Sequence, residues 1–348
     1  MRVTLAICTW NRADLLNVTL HSLAKLMIPA GVEWQVIVAD NNSTDHTQRV
    51  LAKHAAVLPL TSLFVQAQGK SHALNAITER LAGDLVIWTD DDVLVDPCLI
   101  QSYVEAATAQ PDAQFFGGWV VPRFLGAEPS WLRPAWRILA GVYAARELGP
   151  QSFDFTPKIL PFGANMAARV PMQKQYRYDA ALGRVGELLL AGEETALMQQ
   201  WLSDGLRGVW VPNARVDHLI TPERTELAHI RRFFFSLAQS KRSEASRSPR
   251  AKRLVRGALY LLQALHYELK SRLTTVDSNP GRWVKYQARL AYGWGRVDSQ
   301  WHNFPAWMIP ASVRWLQASR NQPRPDSAEW VDHLLAELRQ DTTSSVAA

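Results

Sequence analysis

Three consecutive carboxylates, Asp90, Asp91 and Asp92, follow the apolar run LVIWT. At the end of a buried strand they repel one another, so the fold must bring cations to them. Hard divalent ions take oxygen ligands, often from only one or two carboxylates, and leave positions for substrate phosphates. Magnesium or manganese is therefore the natural candidate, with an acidic surface turn as the alternative. Asp40 ends a second β-like run, WQVIVAD, and a parallel neighbour would carry it to the same rim, where it can accept a base imide or ribose proton. The following NNSTD is rich in turn formers, so Asp40 can equally cap that turn. Glu193 and Glu194 open a helical pattern after Gly192. The helix dipole and unpaired backbone amides favour acids there, and a carboxylate so placed can also remove a hydroxyl proton. His218 follows a short β-like run in RVDHLI and suits either a metal site or a structural role.

The elements that must position these groups alternate. VTLAICT reads as a strand, the polar WNRAD as its loop, and Leu15, Leu16, Leu20 and Leu23 as the apolar face of a helix. The unit repeats through WQVIVAD and a helix beginning near His46, then LTSLFVQ and a helix around 72–81, then DLVIWTD. Such alternation predicts a parallel sheet whose ligand-binding loops lie at the strands' carboxyl ends. The stretch 115–177 is less regular, with PFGANMAARV as a further strand and turn, and a helix follows Gly192. Beyond Pro222 the chain reads as helical and basic to about residue 268, then Trp-rich, then polar after Arg320 with a disordered end. The expected divisions are 1–114 for the donor half, 115–222 for the acceptor and base half, 223–320 for a basic helical extension and 321–348 for a partly disordered polar tail.

Residues 1–220 hold 18 Lys/Arg against 21 Asp/Glu, and residues 221–348 hold 20 against 11. The basic excess suits an anionic surface. Arg231, Arg232, Lys241, Arg242, Arg247, Arg250, Lys252, Arg253 and Arg256, beside the apolar LVRGALYLLQALHYEL, point to residues 231–269 as a contact with anionic membrane, or else to a packed helical face. Trp283, Trp294, Trp301, Trp307 and Trp315 suit interface anchors or core equally. The two cysteines, Cys8 and Cys98, have no paired-ligand spacing. No basic leader and no spanning apolar run is evident, so the expected location is cytoplasmic, with a peripheral place on the inner membrane face left open.

CTWNRADLLNVTLHSL, VIVADNNSTDHT, GKSHALNAI, AGDLVIWTDDDV, GANMAARV and GEETALMQQWLSDG occur in one order, and together they resemble family-two glycosyltransferases over roughly residues 1–240. The resemblance implies an α/β GT-A nucleotide-binding fold with a mostly parallel central sheet and, here, a helical C-terminal extension. It implies that Thr9 and Arg12 line the nucleotide pocket, that Asp40 contacts the base, that Lys70 lies near the donor, and that Asp91 shares the donor site. Asp90 and Asp92 become the DxD pair, with Asp92 on the metal and His218 completing the coordination. Glu194 aligns with the usual general base, with Glu193 as the fallback; this chain reads GEE where relatives often read ED. The implied reaction is inverting transfer of a sugar from a nucleotide diphosphate, most often uridine diphosphate, to an acceptor hydroxyl. A glycan or lipid-linked acceptor and a surface polysaccharide or lipopolysaccharide role follow by analogy.

A sugar nucleotidyltransferase would carry a glycine-rich phosphate loop after the first strand, where this chain has CTWNRAD. A nucleic-acid-binding protein would set basic and stacking residues on one surface, whereas the first half presents acids, so no nucleic-acid partner is expected. A non-catalytic membrane-binding protein or scaffold of the same fold is the remaining alternative.

Overall fold

The computed structural model describes residues 1–180, 182, 192–240, 248–301 and 328–345. Its strands are β1 (Arg2–Thr9), β2 (Glu33–Asp40), β3 (Leu60–Phe64), β4 (Leu85–Asp90), β5 (Val93–Val95), β6 (Ala113–Phe124), β7 (Asn165–Arg169) and β8 (Arg207–Ile220). They form one sheet in the order β3-β2-β1-β4-β7-β6-β8-β5. The first half, β3-β2-β1-β4, is parallel, while β7 runs antiparallel between β4 and β6. The helices are α1 (Ala13–Leu23), α2 (Thr47–Ala55), α3 (Lys70–Arg80), α4 (Leu99–Ala109), the short α5 (Trp136–Leu139) and α6 (Val170–Gln173), α7 (Glu193–Ser203) and α8 (Leu227–Gln239), then α9 (Arg250–Leu273), α10 (Pro280–Gln300) and α11 (Ala328–Ser345).

The central strands are apolar on both faces because both faces are covered, as a parallel sheet requires. Leu5, Ile7, Val36, Val38 and Ile87 pack with Leu16 and Leu20 of α1 on one side. Ala6, Ile37, Val86 and Trp88 pack with Leu74 and Ile77 of α3 and Trp201 of α7 on the other. Register carries function here: Thr9 pairs with Asp40 and Cys8 with Asp90, so the loop after β1 starts between two strand-end acids. The sheet extends beyond the sequence-based expectation. GGWVVPRF lies inside the 12-residue β6, and the short strand expected around residues 209–219 is the 14-residue β8, bent where its register with β6 shifts near Gly117.

The expected basic extension is a helical layer. Trp294 is buried with Leu290 and Val297 against Ala264, and Trp301 and Trp283 are partly buried in apolar clusters, so these three tryptophans are core. Lys241, Arg242, Arg247, Trp307 and Trp315 lie outside the described residues. The segment expected as a polar, partly disordered tail contains α11, whose Val331, Leu334 and Leu335 pack on Val18 of α1 and Leu219 of β8. Glu337 adds an ion pair to Arg123 at 2.6 Å. Four aliphatic or aromatic residues spaced for one helical face, Trp330, Val331, Leu334 and Leu338, carry this docking.

His54 of α2 sits edge-on to His21 of α1, ring centroids 4.7 Å apart, with Nε2 2.9 Å from Asn17 Oδ1. Burial, with His21 and Lys53 nearby, lowers its pKa from 6.5 to about 4. A group neutral in the folded state and basic in the unfolded one contributes stability that is whole above pH 6.5 and declines down to about pH 4. Thermal melts across that window should show the decline, and His54→Gln, which keeps a donor for Asn17, should flatten it.

Candidate functional site

The site lies at the carboxyl ends of β1, β2 and β4, closed by the start of α7 and the end of β8. Asp90 is the last residue of β4, and Asp91 and Asp92 form the turn into β5. Three cations meet the three carboxylates, and Arg12 is shared by two of them. Asp90 Oδ1 accepts from Lys70 Nζ at 3.0 Å. Asp91 accepts from Thr9 Oγ1 at 2.8 Å and from Arg12 Nη1 at 2.9 Å. Asp92 Oδ2 accepts from Arg12 Nη1 at 2.8 Å and Arg224 Nη1 at 3.0 Å. The mutual repulsion anticipated from the sequence is thus met by three cations drawn from the β1 loop, the start of α3 and the turn after β8.

Burial acts to raise all three acid pKa values, and the neighbours decide the outcome. Asp90 is held below the usual carboxylate range against burial by Lys70, and Asp92 well below it by His218, Arg12 and Arg224. Burial prevails at Asp91, which is raised despite Arg12. Lys70 is pushed well above the ordinary lysine value: burial opposes its charge, but Asp90, Glu194 and Glu193 outweigh it.

Lys70 joins two distant parts of the sequence, since its Nζ lies 2.8 Å from Glu194 Oε1 as well as beside Asp90, and 4.0 Å from Glu193 Oε1. Lys70, Asp90 and Glu194 line an open cavity together with Cys8, Trp88, Gly163 and Tyr178. Glu194 faces this cavity, while Glu193 is buried behind it at 3% exposure. Gly192, at φ 126°, turns the chain into α7 through a left-handed conformation that disfavours any side chain. Gly163 makes the second accommodation, because a Cβ there would stand 2.3 Å from Glu194 Oε1. Burial pushes the Cys8 thiol pKa up, so this cavity cysteine is a poor nucleophile.

His218 pairs in register with Val93 and is 3% exposed. Its Nδ1 donates to the Tyr143 carbonyl at 2.8 Å, and its Nε2 accepts from Arg224 Nη1 at 3.0 Å. Nε2 also lies 3.4 Å from Asp92 Oδ1, a buried oxygen that accepts no hydrogen bond. Two acceptor atoms so close, one of them without a donor, fit a divalent cation, for which Nε2 would give up its hydrogen bond from Arg224. Counting Asp90, Asp91, Asp92, Glu193 and Glu194 against Arg12, Lys70 and Arg224, the acids exceed the bases by two, which one such ion would balance. Among the described residues no cluster of three or more His, Cys, Asp or Glu side chains is gathered in a metal-holding arrangement. The protein fit is thus a pair of ligands, with phosphate and water left to complete the shell.

Asp40 is fully buried at the rim, but its oxygens are taken locally, by the Ser43 amide at 2.9 Å and by the Gln48 side-chain amide. Its observed role is the turn-stabilising one that NNSTD also allowed. Arg224, Tyr143, Tyr178 and Gly163 were not singled out in the sequence. A signal for Arg224 existed, an arginine six residues after His218 in a Pro-led turn, but only the folded turn aims it back at Asp92.

The family model for glycosyl transferase family 2 matches residues 4–165, which contain the loop after β1, Lys70 and the three aspartates. Over that stretch, a little under half of the chain, it is similar to glycosyl transferase family 2. It is 24% identical to the succinoglycan biosynthesis protein ExoM of Rhizobium meliloti (strain 1021) over 243 residues, 69% of this chain and 74% of that one. It is 26% identical to the glucosyl-dolichyl phosphate glucuronosyltransferase of Haloferax volcanii over 232 residues, 65% of this chain and 72% of that one. The structure of GalNAc-T7 with UDP, GalNAc and Mn2+ shares the fold at a TM-score of 0.51 and 15% identity, covering 72% of this chain and 52% of that one. The chain is accordingly a GT-A-fold glycosyltransferase, and the matched stretch supplies Cys8, Lys70, Asp90 and Gly163 to the cavity.

Gly163→Ala isolates the position of Glu194. The atoms a new methyl would displace are the far end of that side chain, so the loss of stability should stay at the low end of overpacking, about 1 kcal/mol. Turnover with a competent donor and acceptor should nevertheless fall by about tenfold or more as the carboxylate leaves its place. Parallel melts and initial rates check both.

Proposed function

We propose that this glycosyltransferase performs direct, inverting transfer from a uridine-diphosphate sugar to a glycan or lipid-linked acceptor hydroxyl, with Glu194 as the general base. The observation that carries the proposal is the sharing of Lys70 between Asp90 and Glu194 within one cavity. That bridge joins the acids of the nucleotide-binding half to the acid that opens α7.

In this reading Thr9, Arg12 and Asp40 border the nucleotide, and Lys70 and Arg12 face its diphosphate. An incoming diphosphate competes with Glu194 for the Lys70 ammonium, and a carboxylate relieved of that partner is the stronger base. Glu194 then takes the acceptor hydroxyl proton as the acceptor oxygen bonds to the anomeric carbon. The bond from that carbon to the diphosphate oxygen breaks in the same displacement, and the nucleotide leaves with the electron pair. The configuration inverts because attack and departure are on opposite faces. Asp92 and His218 would hold a divalent manganese or magnesium ion, with Asp90 alongside, and when bound such an ion supplies charge neutralisation for the diphosphate. Mn2+ and UDP in the GalNAc-T7 structure agree with this choice. The polysaccharide and dolichyl-phosphate-linked roles in the relatives' names support a surface-glycan acceptor.

Glu194→Gln keeps the shape and a hydrogen bond to the pocket but cannot accept the proton. Turnover should fall by about 10²- to 10⁴-fold with donor affinity little changed. Glu193→Gln should retain most turnover. Activity of Glu194→Gln close to that of the unaltered enzyme would overturn the assignment.

Asp92→Asn removes one of the two facing acceptors. Calorimetric titration with donor and manganese should show weakened donor binding, while circular dichroism remains that of the unaltered chain. Unchanged affinity would take Asp92 out of the cation site.

A further inference from the structure

The basic extension was expected to act as one segment, residues 231–269, but the structure separates it. In α8, Phe233, Phe234 and Phe235 pack into apolar clusters, and the partly buried Arg231 donates to Gln287 of α10 at 3.0 Å. That helix is committed to the interior. α9 is different, because its two faces have opposite destinations. Gly257, Ala264 and Glu268 are its buried residues. Gly257 lies against the Trp301 indole and Ala264 against Gly293 of α10, and these close small-residue contacts fix which side of α9 turns inward.

The outward side is aliphatic. Val255, Leu259, Leu262, Leu265, Leu269 and Leu273 are each between 46% and 76% exposed, a concentration of large apolar surface that a solvated helix does not need. At about 100° per residue they fall within one arc on α9, and Lys252, Arg256 and Lys270 border it. Over its 24 residues α9 holds six Lys/Arg and a single acid, Glu268, which is on the buried side. No described helix is long and apolar enough to cross a membrane.

We propose that the outer face of α9 is a docking surface for an anionic lipid bilayer, lying in the interface with its leucines among the acyl chains and its basic border at the headgroups. An exposed aliphatic arc flanked by Lys/Arg is the arrangement that binds such a surface, through apolar burial and charge attraction acting together. A second copy of this chain is the competing occupant, since the spacing Val255, Leu259, Leu262, Leu269, Leu273 also suits a helix pair. Charge decides against it. The bordering side chains are all positive, so pairing two such faces adds like-charge repulsion where anionic lipid neutralises it. The inference extends the proposed function by specifying where an enzyme with a lipid-linked acceptor meets its membrane, and its test needs neither donor nor acceptor.

The test is flotation of the full chain with vesicles of phosphatidylcholine alone or mixed with phosphatidylglycerol, at low and high salt. Recovery with the mixed vesicles should exceed that with neutral ones by about tenfold and diminish at high salt. Leu259→Gln with Leu262→Gln should abolish it. Lys252→Gln with Arg256→Gln should weaken it while leaving the melting temperature and donor binding unchanged, as befits exposed positions remote in sequence from the site. Equal recovery on neutral and mixed vesicles would overturn the proposal. So would persistent binding by the leucine variant, or a dimer in solution that the leucine substitutions dissociate. Failure of the unaltered chain to float with the mixed vesicles while it still transfers sugar would refute the docking face and leave the transfer reaction standing.

Discussion

The structure depends on the neutralisation of buried charge at the end of β4. Asp91 and Asp92 are almost wholly buried, and Asp90 is largely so. Unpaired carboxylates in such surroundings would cost several kcal/mol each. The partners are recruited from distant segments: Arg12 from the loop after β1, Lys70 from the start of α3, Arg224 from the turn after β8. Each recruitment fixes a loop that the sheet alone would leave undetermined. The ion network and the cavity are consequently one construction, and a change in any cation is felt by the carboxylates on both sides of it.

Much of the first half was legible because its information is local. Apolar runs ending in polar loops identify β1, β2 and β4, and period-2 and period-3.6 patterns alternate as a parallel sheet demands. Glu193 and Glu194 at a helix start, and Asp90 at a strand end, were readable in the same way. β6 falls in the stretch that reads as irregular and β8 reads as a short strand, since Pro122, Pro212 and paired glycines punctuate them, and their length is settled by pairing with each other. Pairing of that kind is tertiary information.

Asp40 and Arg224 show two things that local reading leaves open at the site. Asp40 occupies the rim that strand register predicts, yet its carboxylate is engaged by Ser43 and Gln48 from its own loop and the following helix. Arg224 has an unremarkable sequence context and nevertheless contacts both Asp92 and His218, because β8 ends directly above the turn after β4. Residue type limits what a side chain can do; which neighbours claim it depends on contacts between segments more than 100 residues apart. The same holds in the extension, where Phe233, Phe234 and Phe235 of α8 pack into apolar clusters while the leucines along one side of α9 are exposed.

The docking of α11 on α1 and β8 ties synthesis order to completion of the fold. Val18 and Leu219 gain part of their apolar cover from Val331, Leu334 and Leu335. A nascent chain that has finished all eight strands still carries that patch uncovered until more than 100 further residues have been added and their last turns have left the ribosome exit tunnel. During that interval the patch is a surface that a holding chaperone can bind, and α11 ends the interval by competing for it from within the same chain.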